Sequence, residues 1–331
     1  MKELKYFSIL EKLAHEIQRI NGKSLIESAE IINVDIKEIE DFYNWFERIR
    51  IINNSKIAIS KKLELLNISH SQLISEQNAF LLTKNVFDKK VPRYVCKYKP
   101  LNKYTEDMIK NNKLWLADLK SFNDLNEGLN PLPENIDDEY IQAYKEYLEQ
   151  KHNNGEKIEL NASELDNFKL YYENTIIKAI DKVRVSCFTK SKTNSQLWAY
   201  YADDNKGICF EFDVLKDIDL FYTLLPISYT SDYPKFELTK DFSKFPVKET
   251  FLTKAENWSI EEEIRLVKYE DSSLYEFKKE SLINVIFGAK VEQNKINETI
   301  QLFRYYNYNC SFYQCDKSKS SFEYRLIEIK S

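Results

Sequence analysis

The chain has 331 residues, 43% of them hydrophobic and 14% aromatic, which is enough to bury a substantial core and long enough for two domains. Its 48 Lys and Arg against 53 Asp and Glu give a formal charge of −5, which excludes a global basic field for holding nucleic acid. Only 5 glycines occur, and neither GxGxxG nor GxxxxGK followed by Ser or Thr is present, which excludes the glycine-rich phosphate cradles of P-loop and ordinary Rossmann proteins.

From the N-terminus, Lys2, Glu3, Lys5, Glu11 and Lys12 interrupt the apolar run that a signal peptide needs. No stretch approaches the ~18 apolar residues of a membrane span. The five cysteines (Cys96, Cys187, Cys209, Cys310 and Cys315) are odd in number and form no CxxC pair, as expected of reduced structural thiols. A cytoplasmic location with no membrane partner is expected.

Residues 1–90 read as a helical module. Phe7, Leu10, Leu13, Ile17 and Ile20 recur at three- and four-residue intervals, the stripe of an amphipathic helix. Ser24 and Glu27 form a capping box that opens a helix toward Ile32, and after Asn33-Val34-Asp35 a second helix is expected from Ile36 to Ile49. This spacing predicts a helix-turn-helix, and Ile51–Ile59 reads as a small hairpin, so a winged-helix-like unit is expected. The second helix carries Glu38, Glu40, Asp41 and Glu47 against Lys37 and Arg48, which phosphates would repel, so a partner protein is the better expectation than DNA.

The polar passage Lys84–Arg93 marks a boundary, and residues 91–331 read as an α+β domain with a mixed sheet. Strands are expected at Tyr94–Tyr98, Leu114–Ala117, Val183–Thr189, Gly207–Phe212, Ile264–Tyr269, Leu282–Phe287 and Tyr324–Ile329. Helices are expected at Asp137–Glu149 and Ser163–Asp181, joined by a polar loop at His152–Glu156. Strands and helices do not alternate regularly, which argues against a doubly wound sheet.

Chemistry must be sought without histidine, because His15, His70 and His152 all lie in the helical module or the polar loop. Four clusters remain. Lys97-Tyr98-Lys99 ends the first strand, with both lysines on one face and the tyrosine on the other. Ser121–Gly128 is a polar loop that could present Asn123, Asp124 and Glu127. Trp198 and Tyr201 share a helix face and could pack in the core or stack on a planar ligand. Glu261, Glu263 and Arg265 alternate along a strand and would line one face, either as a surface ladder or in a polar cleft.

Taken in order, KYK at 97–99, LWLADLKSFNDLNEG at 114–128, SCF at 186–188, LWAYYADDNKGICFEFD at 197–213, WSIEEEIRLV at 258–267 and VIFG at 285–288 resemble a bacterial family catalogued as domain of unknown function 2971. The resemblance covers about residues 94–331 and departs at Leu125 and Asn126, where that family usually has Pro and Phe. A weaker resemblance is to ADP-ribosyltransferases, including bacterial toxins and phage-defence effectors. It rests on the order basic and aromatic strand tip, polar loop, aromatic segment and E-x-E strand.

That second resemblance implies an ADP-ribosyltransferase-like fold and an enzyme that cleaves NAD, with NAD as substrate, no metal, and a protein or nucleic acid as acceptor. It makes Glu263 the catalytic carboxylate and Glu261 the group that orients the acceptor or ribose. Tyr98, Trp198 and Tyr201 become stacking residues; Lys97, Lys99 or Arg265 meets the diphosphate; and Asn123 joins the NAD-contacting set. Two rival readings stand beside it. One is a Mg²⁺-dependent nuclease using Asp124, Glu127, Glu211, Asp213, Glu261 and Glu263. The other is a non-enzymatic ligand sensor.

Overall fold

A computed structural model describes residues 2–122, 124, 142, 146, 180–232 and 251–330. Six helices come first: α1 (Lys2–His15), α2 (Ile17–Ile20), α3 (Leu25–Ile31), α4 (Ile36–Asn53), α5 (Ile59–Leu66) and α6 (His70–Phe87). The expected capping box opens α3, with the Ser24 N–H donating to the Glu27 carboxylate at 2.9 Å and the Glu27 N–H to the Ser24 hydroxyl at 3.3 Å. Asp35 caps α4 with a single bond, its carboxylate accepting from the Lys37 N–H at 2.8 Å.

The hairpin expected over Ile51–Ile59 is not formed, so the wing is absent there. The Ile51-Ile52 pair that looked like a strand continues α4, because Phe42, Ile49 and Ile52 fall on one buried helix stripe. The Lys62 ammonium then donates to the Ile52 carbonyl at 2.6 Å, satisfying a backbone acceptor at the end of α4. Tyr6, Ile9, Leu13, Ala29, Ile32, Ile39 and Phe42 form one core of the helical segment, and Ile49, Ile52 and Leu73 form a second.

The remaining described elements are β1 (Tyr94–Lys99), α7 (Lys103–Asn111), β2 (Lys113–Trp115), β3 (Ala117–Asp118), β4 (Val183–Thr189), α8 (Ser195–Tyr201), β5 (Ile208–Asp213), α9 (Ile218–Phe221), β6 (Leu224–Pro226), β7 (Ser228–Thr230), β8 (Thr253–Ala255), β9 (Glu263–Tyr269), β10 (Leu274–Glu276), β11 (Leu282–Phe287), α10 (Gln293–Tyr305), β12 (Ser311–Lys317) and β13 (Tyr324–Glu328). The protein is therefore α+β with a mixed sheet. Each of the seven expected strand segments contains strand. Most of Asp137–Glu149 and Ser163–Asp181, and all of His152–Glu156, lie outside the described residues.

Contacts divide the chain into two units, and the division does not fall near residue 90. The first unit joins residues 1–113, 188–224 and 276–331; the second joins 114–187 and 225–275. The helical module belongs to the first unit because long-range contacts tie it to the sheet. α6 packs on α9, and the Arg93 guanidinium pairs with Asp213 at 3.0 Å and lies 5.6 Å from the Phe7 ring centre.

In the first unit, β5 is buried throughout and is antiparallel to both β1 and β11, while β11 is parallel to β12 and β12 antiparallel to β13. One face of this sheet meets α10, with Phe303 packing on Phe210 and Phe312. The other face holds Cys96, Cys209, Ile286 and Cys315 against Trp198 and Ala202 from α8 and the chain just after it. The turn after α8 takes left-handed backbone at Asp203, Asp204 and Asn205, then brings Gly207 so near β1 that a Cβ there would lie 2.3 Å from the Lys99 carbonyl oxygen. Only glycine admits that approach.

In the second unit, β3 pairs antiparallel with β4, β9 lies between β4 and β6, and β7 pairs in parallel with β8. Leu119, Val183, Val185, Ile227, Phe251 and Leu252 form its core. Among the described residues, no helix is long and apolar enough to cross a membrane.

Candidate functional site

The second unit collects two of the expected carboxylates, and by a different local route. β9 begins at Glu263, not Glu261. Glu261 ends a 3₁₀ turn from Glu256, and Glu262 follows with φ +44°. That left-handed residue reverses the chain so that both carboxylates still reach one place. Lys254, on β8, donates to Glu261 Oε2 at 2.7 Å and to Glu263 Oε2 at 3.1 Å. Arg265 holds Glu263 from the other side, Nε to Oε1 at 2.6 Å and Nη2 to Oε2 at 3.2 Å.

The side chains of Lys254 and Glu261 are each 7% exposed, that of Glu263 is 4% exposed and that of Arg265 1%, so the surface ladder is ruled out. Aromatic rings finish the cluster. The Arg265 guanidinium lies 5.2 Å from the centre of the Phe122 ring, and the Lys254 ammonium 4.9 Å from the centre of the half-buried Trp258 ring. A third bond from Arg265 reaches the Phe251 carbonyl at 2.8 Å, while the Tyr229 hydroxyl, opposite Lys254 on β7, accepts from the Glu263 N–H at 2.8 Å. Among the described residues, two carboxylates thus meet two cations.

Burial pushes the Glu263 pKa upward, but Arg265, Lys254 and the Cys187 thiol outweigh it and bring the carboxyl down to about 2. Burial raises the Tyr229 phenol to about 12. A carboxyl whose pKa is depressed in the folded state adds stability that is complete above its unfolded pKa and lost as the pH falls through the folded value. Stability from Glu263 is thus expected to be full above about pH 4.5 and to drain away toward pH 2. In acid titrations followed by circular dichroism, Glu263→Gln is expected to be less stable at pH 7 and to show a flatter decline below pH 5; an unchanged acid slope contradicts this.

The first unit places its expected residues otherwise. Trp198 is wholly buried, its indole N–H donates to the Lys192 carbonyl at 3.0 Å, and the Tyr98 ring meets it edge-on at 4.9 Å. The Tyr98 hydroxyl donates to the Ser191 carbonyl at 3.0 Å, and burial pushes that phenol strongly upward. These rings are core, so the stacking role expected of Trp198 and Tyr98 is corrected. Apolar packing won because both polar tips find backbone carbonyls in the Ser191–Lys192 turn. Tyr201, half-buried, meets the exposed Tyr200 ring.

Lys97 and Lys99 take the same sheet face, as alternation requires. The Lys97 ammonium lies 5.2 Å from the Phe188 ring centre, and Lys99 is half-buried with its pKa lowered by desolvation. Glu211 and Asp213, invoked for a nuclease, are spoken for: Glu211 binds Lys192 at 2.7 Å and Asn284 at 2.6 Å, and Asp213 binds Arg93. Asn123 and Glu127 lie outside the described residues. Among the described residues no group of three or more His, Cys, Asp or Glu is placed to hold a metal ion.

The spacing of Glu261, Glu263 and Arg265 was the legible part of this site. Trp258 stood in the same motif, and Phe122 and Cys187 in the runs 114–128 and 186–188, but Lys254 and Tyr229 lay in none of these runs and reach the site from other elements. Against known protein families, curated proteins and solved structures, the chain has no match.

Proposed function

We propose that the chain cleaves NAD at the bond between nicotinamide and ribose, as ADP-ribosyltransferases do, with Glu263 as the catalytic carboxylate. The observation that carries the reading is the convergence of Glu261 and Glu263 on the single ammonium of Lys254 in the second unit. Glu263 is held ionised by Arg265 and Lys254, as a carboxylate must be to stabilise an oxocarbenium ion.

In this reaction the C1′–N bond breaks and its electron pair leaves with nicotinamide, which becomes neutral. The cationic ribose is stabilised by Glu263. Glu261 orients the acceptor, whose lone pair forms the new bond to C1′ while its proton is released. With water as acceptor the products are ADP-ribose, nicotinamide and a proton. Neither histidine nor metal is needed for the balance.

The resemblance to domain of unknown function 2971 and an ADP-ribosyltransferase-like arrangement of the α+β part belong to the same proposal. So do a macromolecular acceptor, an effector role as toxin or phage defence, and a partner protein at the helices before residue 90. Arg265, bonded to Glu263 and to the Phe251 carbonyl, is better cast as the group that positions Glu263 than as a diphosphate ligand.

The test is nicotinamide release from NAD by purified protein in a chelator, with cell extract supplying acceptors. Release that is indifferent to chelator is expected. No release, or magnesium-dependent cleavage of DNA or RNA in its place, would overturn the reading.

A further inference from the structure

The helical segment of the first unit forms a cavity of about 630 Å³ that the NAD reading does not use. That volume falls within the range of small-molecule sites. One wall belongs to α4, because Asp41, Trp45, Arg48 and Ile51 recur at three- and four-residue intervals and share a helix face. Leu65 and Leu66 at the end of α5, and Glu76 of α6, line the cavity from other sides. We propose that this cavity binds a small organic amine, an ammonium joined by a short chain to an aromatic ring. The inference does not rest on the NAD reading, which concerns the second unit.

One ion pair fixes the walls. Arg48 meets Glu76 in a bidentate fork, Nε to Oε2 at 2.6 Å and Nη2 to Oε1 at 2.8 Å, which sets geometry as well as energy. Its Nη1 reaches the Leu66 carbonyl at 3.5 Å, so one side chain ties α4 to both α5 and α6. The pair also settles the charge of the lining. Arg48 is the one cation among the described lining residues and Glu76 answers it, while Asp41 and Glu47 line the same cavity. Glu47 pairs with Arg50 at 3.3 Å, but both side chains are more than half exposed, and such a pair holds weakly. Asp41 is attracted to Lys5, whose ammonium is bonded to Glu38 at 3.1 Å. The lining therefore has an acidic surplus, which disfavours an anion and favours an ammonium.

The apolar part of the lining describes the rest of the ligand. Leu65 is 53% exposed, and the half-buried Trp45 ring stands 4.9 Å from the Tyr6 ring, centre to centre. A ring laid over Leu65 and Trp45 takes hydrocarbon out of water on both sides of the contact. A plain polyamine would leave that surface wet. A neutral hydrocarbon would strip water from Asp41 and give it no partner. An amine on a short chain from an aromatic ring satisfies both halves of the cavity.

The experiment uses the full chain and two probes of nearly equal shape, phenethylamine and its neutral counterpart 2-phenylethanol. Binding of each is measured by calorimetry to the parent, to Asp41→Asn and to Leu65→Lys. Both positions are exposed, so both variants are expected to fold, and thermal unfolding checks it. The parent is expected to bind the amine about tenfold or more tighter than the alcohol, the factor for one hydrogen bond to a charged group. Asp41→Asn is expected to lose about that factor for the amine and to bind the alcohol as the parent does. Leu65→Lys, which removes apolar surface and adds a competing cation, is expected to weaken the amine by a similar factor. Equal affinity of the parent for the two probes, or no binding of either, overturns the proposal. So does an amine affinity unchanged in either variant, which would place the ligand elsewhere.

Discussion

Arg265→Met is expected to destabilise the protein by about 3–5 kcal/mol, the range for removing one partner of a buried ion pair. The side chain is 1% exposed and supplies two bonds to Glu263 and one to the Phe251 carbonyl. Methionine fills similar space but leaves the buried Glu263 carboxylate with Lys254 as its one cationic partner among the described residues. The loss is not mainly the strength of the pair, because desolvating two charges offsets most of their attraction. It is the residual charge that is expensive. Denaturant unfolding should therefore show Arg265→Met combined with Glu263→Gln closer to the parent than Arg265→Met alone. Additive losses in the two variants would contradict this account of the cluster.

Trp198→Ala is expected to lose a similar amount, about 3–5 kcal/mol, for a different reason. Trp198 is wholly buried against Tyr98, Cys96, Cys209, Ile286 and Cys315, so alanine leaves a cavity that the sheet, fixed by its ladders, cannot close. Trp198→Phe separates the two contributions. It keeps most of the apolar volume and loses the indole hydrogen bond to the Lys192 carbonyl, for an expected change nearer 1 kcal/mol plus whatever packing is lost. Thermal unfolding checks both. A stable Trp198→Ala would mean that the ring is not core, and would restore it as a ligand platform.

How far the fold could be read from residues alone varied with the range of the interaction that decides each element. Val183–Thr189 and Leu282–Phe287 form with the expected bounds because β-branched and aromatic runs bounded by polar residues suffice to mark a strand. The capping box at Ser24 is equally local. Ile51–Ile59 misled because two adjacent isoleucines suit a strand as well as a helix stripe, and only packing on Phe42 and Ile49 decides between them. β12 and α10 were not anticipated at all. β12 is paired in parallel with β11, a partner 24 or more residues away, and α10 lies on the chain between them.

The division into units was beyond local reading for the same reason. The first unit is assembled from three separate stretches, held by pairs such as Arg93 with Asp213, 120 residues apart. At the site, alternation correctly grouped Glu261, Glu263 and Arg265, although the left-handed Glu262 replaced the assumed continuous strand. Lys254, which donates to both carboxylates, stands seven residues from Glu261 with no motif to mark it. Aromatic side chains were the least legible group. Trp198 and Trp258 look alike in a sequence, yet one is interior packing and the other lies over a buried ammonium.

The measurement that bears most directly on the central claim is the rate of nicotinamide release from NAD, in chelator, by the parent and by Glu263→Gln. Glutamine keeps the shape and can still accept from Lys254 and Arg265, but it carries no charge with which to stabilise the ribosyl cation. The account predicts release by the parent and a loss of about 10²–10³-fold in kcat for the variant, the size expected when one preorganised electrostatic group is removed. Equal rates for the two proteins, or no release from either, would contradict it.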